Sequence, residues 1–422
     1  MNTPYGLRYS LTKHIEKGIL MIQRMMIAIG LLITTTLTPL VSAATPKFKV
    51  TLNGPNVVIT ALKLHFNQPI RLMNLSSNVF FTNPTNDCHP LINGGCVAPL
   101  SDVSPAVIGI SGPSTHYTFN VCINGQPPYA CEKFDIRFAY ITNRGITVND
   151  NTGQSQLSVC PIVNGVFTPC TAQTLDSFTD PSGILLNASG TTAYIINTSS
   201  DTLSQCTLNN GSVVSCDTIS GILHNSTSHA FGPTGSLYVT NNVLNTVTIC
   251  TVDTSTGEIM TDDCTPSETL FFGPTGIAVP KLGATAYIVN STTHTVSVCS
   301  LLSHGLIDTC TDVNPNTTFS TPSAIAVDEG NARAYILNTG NNTVSVCIIA
   351  NRTLASCRAY SDETLDNPVG IVLNRAGTMA YLTNANTNAI SECPVGDGVF
   401  GPCTLITDPT FGIVSGITLS NE

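Results

Sequence analysis

The strongest constraint on this chain is a repeat that carries its own pair of cysteines. Its anchor tyrosines are Tyr140, Tyr194, Tyr238, Tyr287, Tyr335 and Tyr381, spaced 54, 44, 49, 48 and 46 residues apart. An asparagine stands three residues after each one: Asn143, Asn197, Asn241, Asn290, Asn338 and Asn384. Twelve residues after the tyrosine comes a cysteine in five copies, namely Cys206, Cys250, Cys299, Cys347 and Cys393. In the first copy Cys160 lies 20 residues after Tyr140, so eight extra residues enter around 146–155. Ser or Thr stands two positions before each of these cysteines. A partner follows 10 to 14 residues later: Cys170, Cys216, Cys264, Cys310, Cys357 and Cys403. A period of 44–54 residues whose segments all read as β calls for propeller blades rather than a helical solenoid.

One copy can be laid out strand by strand. Gly276-Ile277-Ala278-Val279 reads as a first strand, residues 286–290 as a second and residues 295–299 as a third. The chain then returns through Leu306-Ile307 to Cys310. A two-residue turn at His304-Gly305 sets Ser303 against Leu306 and Cys299 against Cys310, within reach of a cross-strand disulfide. Hairpin loops of other lengths, at 351–353 and 396–398, absorb the difference in turns or bulges. The repeated tyrosine is expected to bury its ring between blades, and the asparagine to bond backbone at a strand end. Six copies of one pair argue for structural use.

The chain ends bear on the count of blades. Between each partner cysteine and the next tyrosine lie 22 to 25 residues, enough for the Gly-Ile strand, whereas Cys131 precedes Tyr140 by only nine. Ser415-Gly416-Ile417-Thr418-Leu419 matches the missing strand. The expected fold is all-β: a six-bladed propeller over 137–421, closed by its C-terminal strand. Seven blades is the alternative, with Cys122 and Cys131 inside the ring. Ahead of it, residues 45–135 read as a small β-sandwich-like domain. Cys88 and Cys96 there flank Asn93-Gly94, and Cys122 and Cys131 flank Asn124-Gly125, so each pair can clip a hairpin.

Sixteen cysteines in even number imply pairing in an oxidising compartment. The N-terminus agrees. Residues 25–40 are apolar, follow Arg24 and lead to Val41-Ser42-Ala43, which reads as a signal peptide over 1–43, with Met21 as an alternative start. The run is broken by threonines and Pro39, so no transmembrane span is expected in the mature chain. Formal charge is −10, and −13 once residues 1–43 leave with four basic and one acidic residue, which excludes a basic nucleic-acid groove.

The segments AYITN (139–143), LYVTN (237–241) and AYLTN (380–384), with TVSVC at 295–299 and 343–347, resemble the YVTN β-propeller repeat family. The resemblance covers about two-thirds of the chain, 137–421. It implies a secreted or cell-surface propeller, distantly similar to lactonase-like and NHL-type propellers. Those repeats usually continue with an apolar residue where this chain has cysteine, so a disulfide in each blade belongs to this sequence. The family motif holds no catalytic residue to carry over.

Chemistry is sparse. No Gly-rich phosphate loop, nucleophile elbow or HExxH motif occurs. The histidines (His14, His65, His89, His116, His224, His229, His294 and His304) share no repeat position. Asp180, Asp328 and Glu329 lie near first-strand ends, out of register. Asn149-Asp150-Asn151-Thr152-Gly153 offers oxygen atoms to a calcium ion but lacks the spacing of a calcium loop, as does Asp262-Asp263. Glycosylation triplets begin at Asn290, Asn341 and Asn351. We therefore assign no catalytic residue, cofactor or metal ligand. The expectation is a secreted, periplasmic or cell-surface binding protein, taking a protein or glycan through propeller loops, the 146–155 insertion foremost. A lactonase-like hydrolase with its site in the central channel and a structural envelope protein are the alternatives.

Overall fold

The computed structural model describes residues 48–420 apart from 54–55, 63–69, 75–79, 83–88, 91–95, 101–105, 112–115, 124–130, 146–154, 210, 233–234 and 282. The signal peptide, Cys88, the Asn93-Gly94 and Asn124-Gly125 turns and nearly all of the 146–155 insertion lie outside the described residues.

The N-terminal strands are β1 (Phe48–Asn53), β2 (Asn56–Ala61), β3 (Ile70–Asn74), β4 (Phe80–Thr82), β5 (His89–Pro90), β6 (Cys96–Ala98), β7 (Ala106–Ser111) and β8 (Tyr117–Ile123). They form one sheet of order β1-β2-β7-β4 and part of another, β8-β3-β6-β5. Alternate residues of both enter one core: Val50, Val57 and Ile59 from the first sheet meet Leu72, Phe119 and Val121 from the second. The long strand β9 (Cys131–Arg144) pairs with β8 from Cys131 to Ile136. From Ile136 to Asn143 it pairs with β10 (Gln156–Val163), so hydrogen bonding passes unbroken into the first repeat. Two short strands, β11 (Val166–Phe167) and β12 (Thr171–Gln173), complete that repeat against β10.

Each later repeat makes an antiparallel meander. The first has β13 (Pro181–Leu186), β14 (Thr192–Asn197), β15 (Thr202–Asn209) and β16 (Ser212–Ser220). The next has β17 (Ser226–Phe231), β18 (Ser236–Asn241), β19 (Thr246–Val252) and β20 (Ile259–Pro266). Then come β21 (Pro274–Ala278), β22 (Thr285–Asn290), β23 (Thr295–Leu301) and β24 (Ile307–Val313). They are followed by β25 (Pro322–Asp328), β26 (Arg333–Asn338), β27 (Thr343–Ala350) and β28 (Thr353–Ser361). The last meander has β29 (Pro368–Leu373), β30 (Met379–Asn384), β31 (Ala389–Gly396), β32 (Val399–Phe400) and β33 (Thr404–Ile406). Finally β34 (Ile413–Leu419) pairs with β9, giving the first repeat the strand it lacked. The first strands lie side by side in the order β13, β17, β21, β25, β29, β34, and β34 again neighbours β13. This is a propeller-type all-β architecture, and the described residues contain no α-helix.

Glycine sets how closely these first strands approach. A Cβ on Gly370 would stand 2.4 Å from the Ser415 carbonyl oxygen, and one on Gly416 2.6 Å from that of Ser182. Only a residue without a side chain fits so near a neighbouring backbone.

Seven disulfides join neighbouring strands of hairpins: Cys122–Cys131, Cys160–Cys170, Cys206–Cys216, Cys250–Cys264, Cys299–Cys310, Cys347–Cys357 and Cys393–Cys403. Cys96 is also disulfide-bonded. The Cys122–Cys131 pair belongs to β8 and β9, in the sheet that continues into the first repeat. Cys299 faces Cys310 in register, but the turn differs from the two-residue one expected. Gly305 N–H donates to the Leu302 oxygen, Gly305 has φ +88, and Leu301 pairs with Ile307. A three-residue loop with a left-handed glycine shifts the register by one, and an irregularity between Cys299 and Leu301 restores it. The loop before Thr353 is shorter than expected. Asn351 and Arg352, at φ +52 and +66, join Ala350 directly to Thr353.

Candidate binding site

The repeated tyrosines link each sheet to the next. Tyr140 shares a core with Cys206 and Cys216 of the following sheet, Tyr194 with Cys250 and Cys264, and Tyr238 with Cys299 and Cys310. Tyr287 does so with Cys347 and Cys357, Tyr335 with Cys393 and Cys403, and Tyr381 with Cys160 and Cys170. In three copies the hydroxyl reaches the turn of that next sheet. Tyr194 donates to the Gly257 carbonyl, Tyr238 to Gly305 at 2.5 Å and Tyr287 to Arg352 at 3.0 Å. The hydroxyls of Tyr140 and Tyr335 are buried without a partner among the described residues. Burial pushes the Tyr194 and Tyr335 hydroxyls up to about 12.

The asparagines do more than bond their own loop. Each amide nitrogen donates to the Ser or Thr two residues before the cysteine: Asn143 to Ser158 (2.9 Å), Asn197 to Ser204 (2.9 Å) and Asn241 to Thr248 (2.7 Å). Asn290 does so to Ser297 (2.7 Å), Asn338 to Ser345 (2.9 Å) and Asn384 to Ser391 (2.8 Å). Each amide oxygen accepts a backbone N–H from the segment entering the first strand, such as Ser320 for Asn338 (3.0 Å). For Asn143 that donor is Gly412 at 2.9 Å, from the other end of the chain.

The first strands carry a second circuit. All six are irregular near their start, and the irregularity begins at Ser182, Thr227, Thr275, Ser323, Val369 or Ser415. Each hydroxyl donates to a carbonyl of the next first strand. Ser182 bonds Ser226 (3.3 Å), Thr227 bonds Thr275 (2.9 Å), Thr275 bonds Pro322 (3.1 Å) and Ser323 bonds Pro368 (2.8 Å). Ser415 bonds Pro181 (2.6 Å). Where valine interrupts the series, Thr383 of β30 donates to the Ser415 oxygen at 2.5 Å. The six links form a belt.

These first strands wall a cavity of about 1250 Å3. The belt hydroxyls line one level of it. Two residues beyond the belt position, opposite the residue that follows each anchor tyrosine, stand Ile184, Ile277, Ile325, Ile371, Ile417 and, in the sheet of β17, His229. His229 is buried, and its Nε2 lies 2.9 Å from the Tyr194 carbonyl oxygen, which fixes the proton on Nε2. Burial lowers its pKa to about 4, against the weaker opposing effect of that hydrogen bond, so the ring is neutral at physiological pH.

Charge is confined to the cavity ends, where Arg144 lies at one and Asp253 and Lys281 at the other. Arg144 Nε is 3.7 Å from Asp180 Oδ1. Asp253 opens the turn between β19 and β20. Its Oδ1 accepts the Ser255 hydroxyl (2.6 Å) and the Ser255 N–H (2.8 Å), which hold the carboxyl below the usual carboxylate range.

The other groups singled out in the sequence do not converge. Glu329 Oε1 accepts the Lys281 N–H at 2.5 Å, and Asp328 binds Asn331 of its own loop. Asp262 and Asp263 are exposed on β20, away from the cavity lining. No group of three His, Cys, Asp or Glu side chains among the described residues could hold a metal ion. Asn290, one of the glycosylation triplets, is fully buried. The sequence marks His229 only as one of several histidines without a common repeat position; comparing the residues that follow Gly183, Ser228, Gly276, Ala324, Gly370 and Gly416 isolates it.

No family profile and no curated protein matches the sequence. Solved structures do. A chain of the nidogen/laminin complex superposes with a TM-score of 0.50 at 12% identity, covering 67% of this chain and 98% of that one. A putative 6-phosphogluconolactonase from Bacteroides fragilis superposes with a TM-score of 0.50 at 14% identity, covering 83% of this chain and 98% of that one. At such identities the likeness is one of propeller fold alone.

Proposed function

We propose that this protein is a six-bladed β-propeller, exported to an oxidising compartment and working as a binding protein in the periplasm, at the cell surface or outside the cell. Residues 1–43 are its signal peptide, 45–135 a small β domain and 137–421 the ring, with β34 as its closing strand. The belt supports closure, because the link from Ser415 to Pro181 has the same form as those between consecutive repeats. The disulfide density supports the compartment. No helix of the described residues is long and apolar enough to cross a membrane.

The observation that carries the binding reading is the wall of the cavity. Its hydroxyls are engaged with backbone carbonyls, and the residue two positions on is isoleucine in five sheets of six. A hydrolase needs a nucleophile or general base facing its substrate, and between the charged ends the described wall supplies no carboxylate or thiol for that role. A cavity lined by aliphatic groups, with charge only at its ends, instead suits a ligand of protein or glycan origin held at its mouth.

The test uses the full chain secreted with its disulfides intact and located by fractionation of cells and medium. It is incubated with 6-phosphogluconolactone and with unphosphorylated lactones. Opening no faster than the spontaneous rate is the expected result. Turnover that disappears in Asp253→Asn would overturn the binding reading in favour of a lactonase-like enzyme.

A further inference from the structure

The repeats act as controls on one another, and the sheet of β17–β20 departs from them most. Its first strand has His229 where the other five have isoleucine. Two residues on, opposite Leu237, it has Phe231, where the same register position holds Leu186, Val327, Leu373 and Leu419. Its outer hairpin is the longest of those clipped by disulfides, with 14 residues separating Cys250 and Cys264 against 9 to 11 elsewhere. The extra length forms the turn from Asp253 to Glu258.

The cavity opens toward these differences. Phe231, Asp253 and Thr254 all line it, as does Lys281 of the following sheet. The Phe231 ring is partly exposed and held edge-on against Tyr194, with centroids 5.2 Å apart and planes at 82°. Asp253 Oδ1 is occupied by its own turn, whereas Oδ2 makes no hydrogen bond among the described residues. The Thr254 hydroxyl and the Lys281 ammonium likewise have no partner among them. The lining of this cavity thus offers an aromatic ring and, unpartnered among the described residues, a carboxylate oxygen, a hydroxyl and an ammonium beside aliphatic groups.

We propose that these residues line a saccharide site, which takes the pyranose ring of a hexose. The inference rests on the binding reading above and names its ligand class. A pyranose presents an apolar C–H face, which lies against Phe231, and a rim of hydroxyls that both donate and accept. Asp253 Oδ2 accepts from one hydroxyl, Lys281 Nζ donates to another, and Thr254 can do either. An unsubstituted apolar ligand would leave these three groups desolvated and unpaired.

Saturation-transfer NMR on the disulfide-intact full chain tests it, with methyl β-D-glucopyranoside, methyl β-D-galactopyranoside and methyl α-D-mannopyranoside as probes and glycerol as the acyclic control. At least one pyranoside should receive saturation, strongest on the protons of one ring face, and glycerol none. Phe231→Leu places at this position a side chain that three other sheets already carry. It should keep the melting temperature within a few degrees and weaken binding at least tenfold. Asp253→Asn, on an exposed turn, should also weaken binding tenfold. Silence from all three pyranosides, or binding unchanged in Phe231→Leu, overturns the saccharide assignment. The binding reading falls only to lactone turnover, so the two failures are told apart.

Discussion

Ser415 donates its hydroxyl hydrogen to the Pro181 carbonyl oxygen at 2.6 Å, across 234 residues of chain. The same side chain lies 2.9 Å from Thr142 Oγ1, so one small residue ties β34 to both β9 and β13. Ser415→Ala leaves a buried carbonyl without its donor and should cost about 1–3 kcal/mol. Removing residues 412–422 should abolish the cooperative transition, because the β9 edge and the Asn143 amide oxygen then lose their partners. Thermal unfolding followed by circular dichroism measures both. A truncated chain that melts like the full one would refute closure by β34.

Tyrosines in equivalent positions should respond differently to loss of a hydroxyl. Tyr287→Phe removes a hydrogen bond to Arg352 and should destabilise by about 1 kcal/mol. Tyr335→Phe removes a hydroxyl buried with no partner among the described residues and should be neutral or stabilising. Denaturant midpoints of the two variants against the parent make the comparison, and equal losses would contradict the interblade hydrogen-bond scheme.

His229 predicts an acid limb. Its folded pKa, about 4, lies below the 6.5 of the unfolded chain, so the unfolded state binds the extra proton first. This contribution to stability is complete above about pH 6.5 and is lost as pH falls from there toward 4. The loss is on the order of 3 kcal/mol for a shift of this size. His229→Ile restores the residue found in the other five sheets and should flatten that part of the pH–stability curve. An unchanged acid limb would show that other groups set it.

Disulfides on short hairpins should each contribute roughly 2–3 kcal/mol through the unfolded chain. The Cys299→Ala, Cys310→Ala double variant should melt several degrees lower with its far-ultraviolet spectrum unchanged, and reducing agent should lower the parent much further. Peptide mapping without reduction checks the Cys299–Cys310 link itself.

Period and spacing made the all-β propeller-type architecture and the disulfide bonding legible in the sequence. Cysteines equidistant from a turn face each other across it, and that arithmetic survives a bulge such as the one at Cys299–Leu301, which the sequence does not announce. The Asn-to-Ser spacing was visible too, but the bond from Asn338 to Ser345 was not, since two strands must pair before the side chains meet. The belt was hidden for a stronger reason. Ser182 and Ser226 lie 44 residues apart, and only the packing of whole sheets brings them together. The candidate site was hidden in the same way: Phe231 and Asp253 line one cavity only when β18 and β19 have folded between them.

The pairing of β9 with β34 also sets an order in time. Asn143 waits 269 residues for the Gly412 N–H that its amide oxygen accepts. At ribosomal speeds of roughly 5–20 residues per second, that interval is roughly 13–54 seconds. Throughout it the first repeat can pair with β10 on one side only, leaving a bare strand edge that would recruit other nascent chains. A chain built this way gains by staying unfolded until synthesis is finished, so that the two distant strands are both present when they first compete for each other.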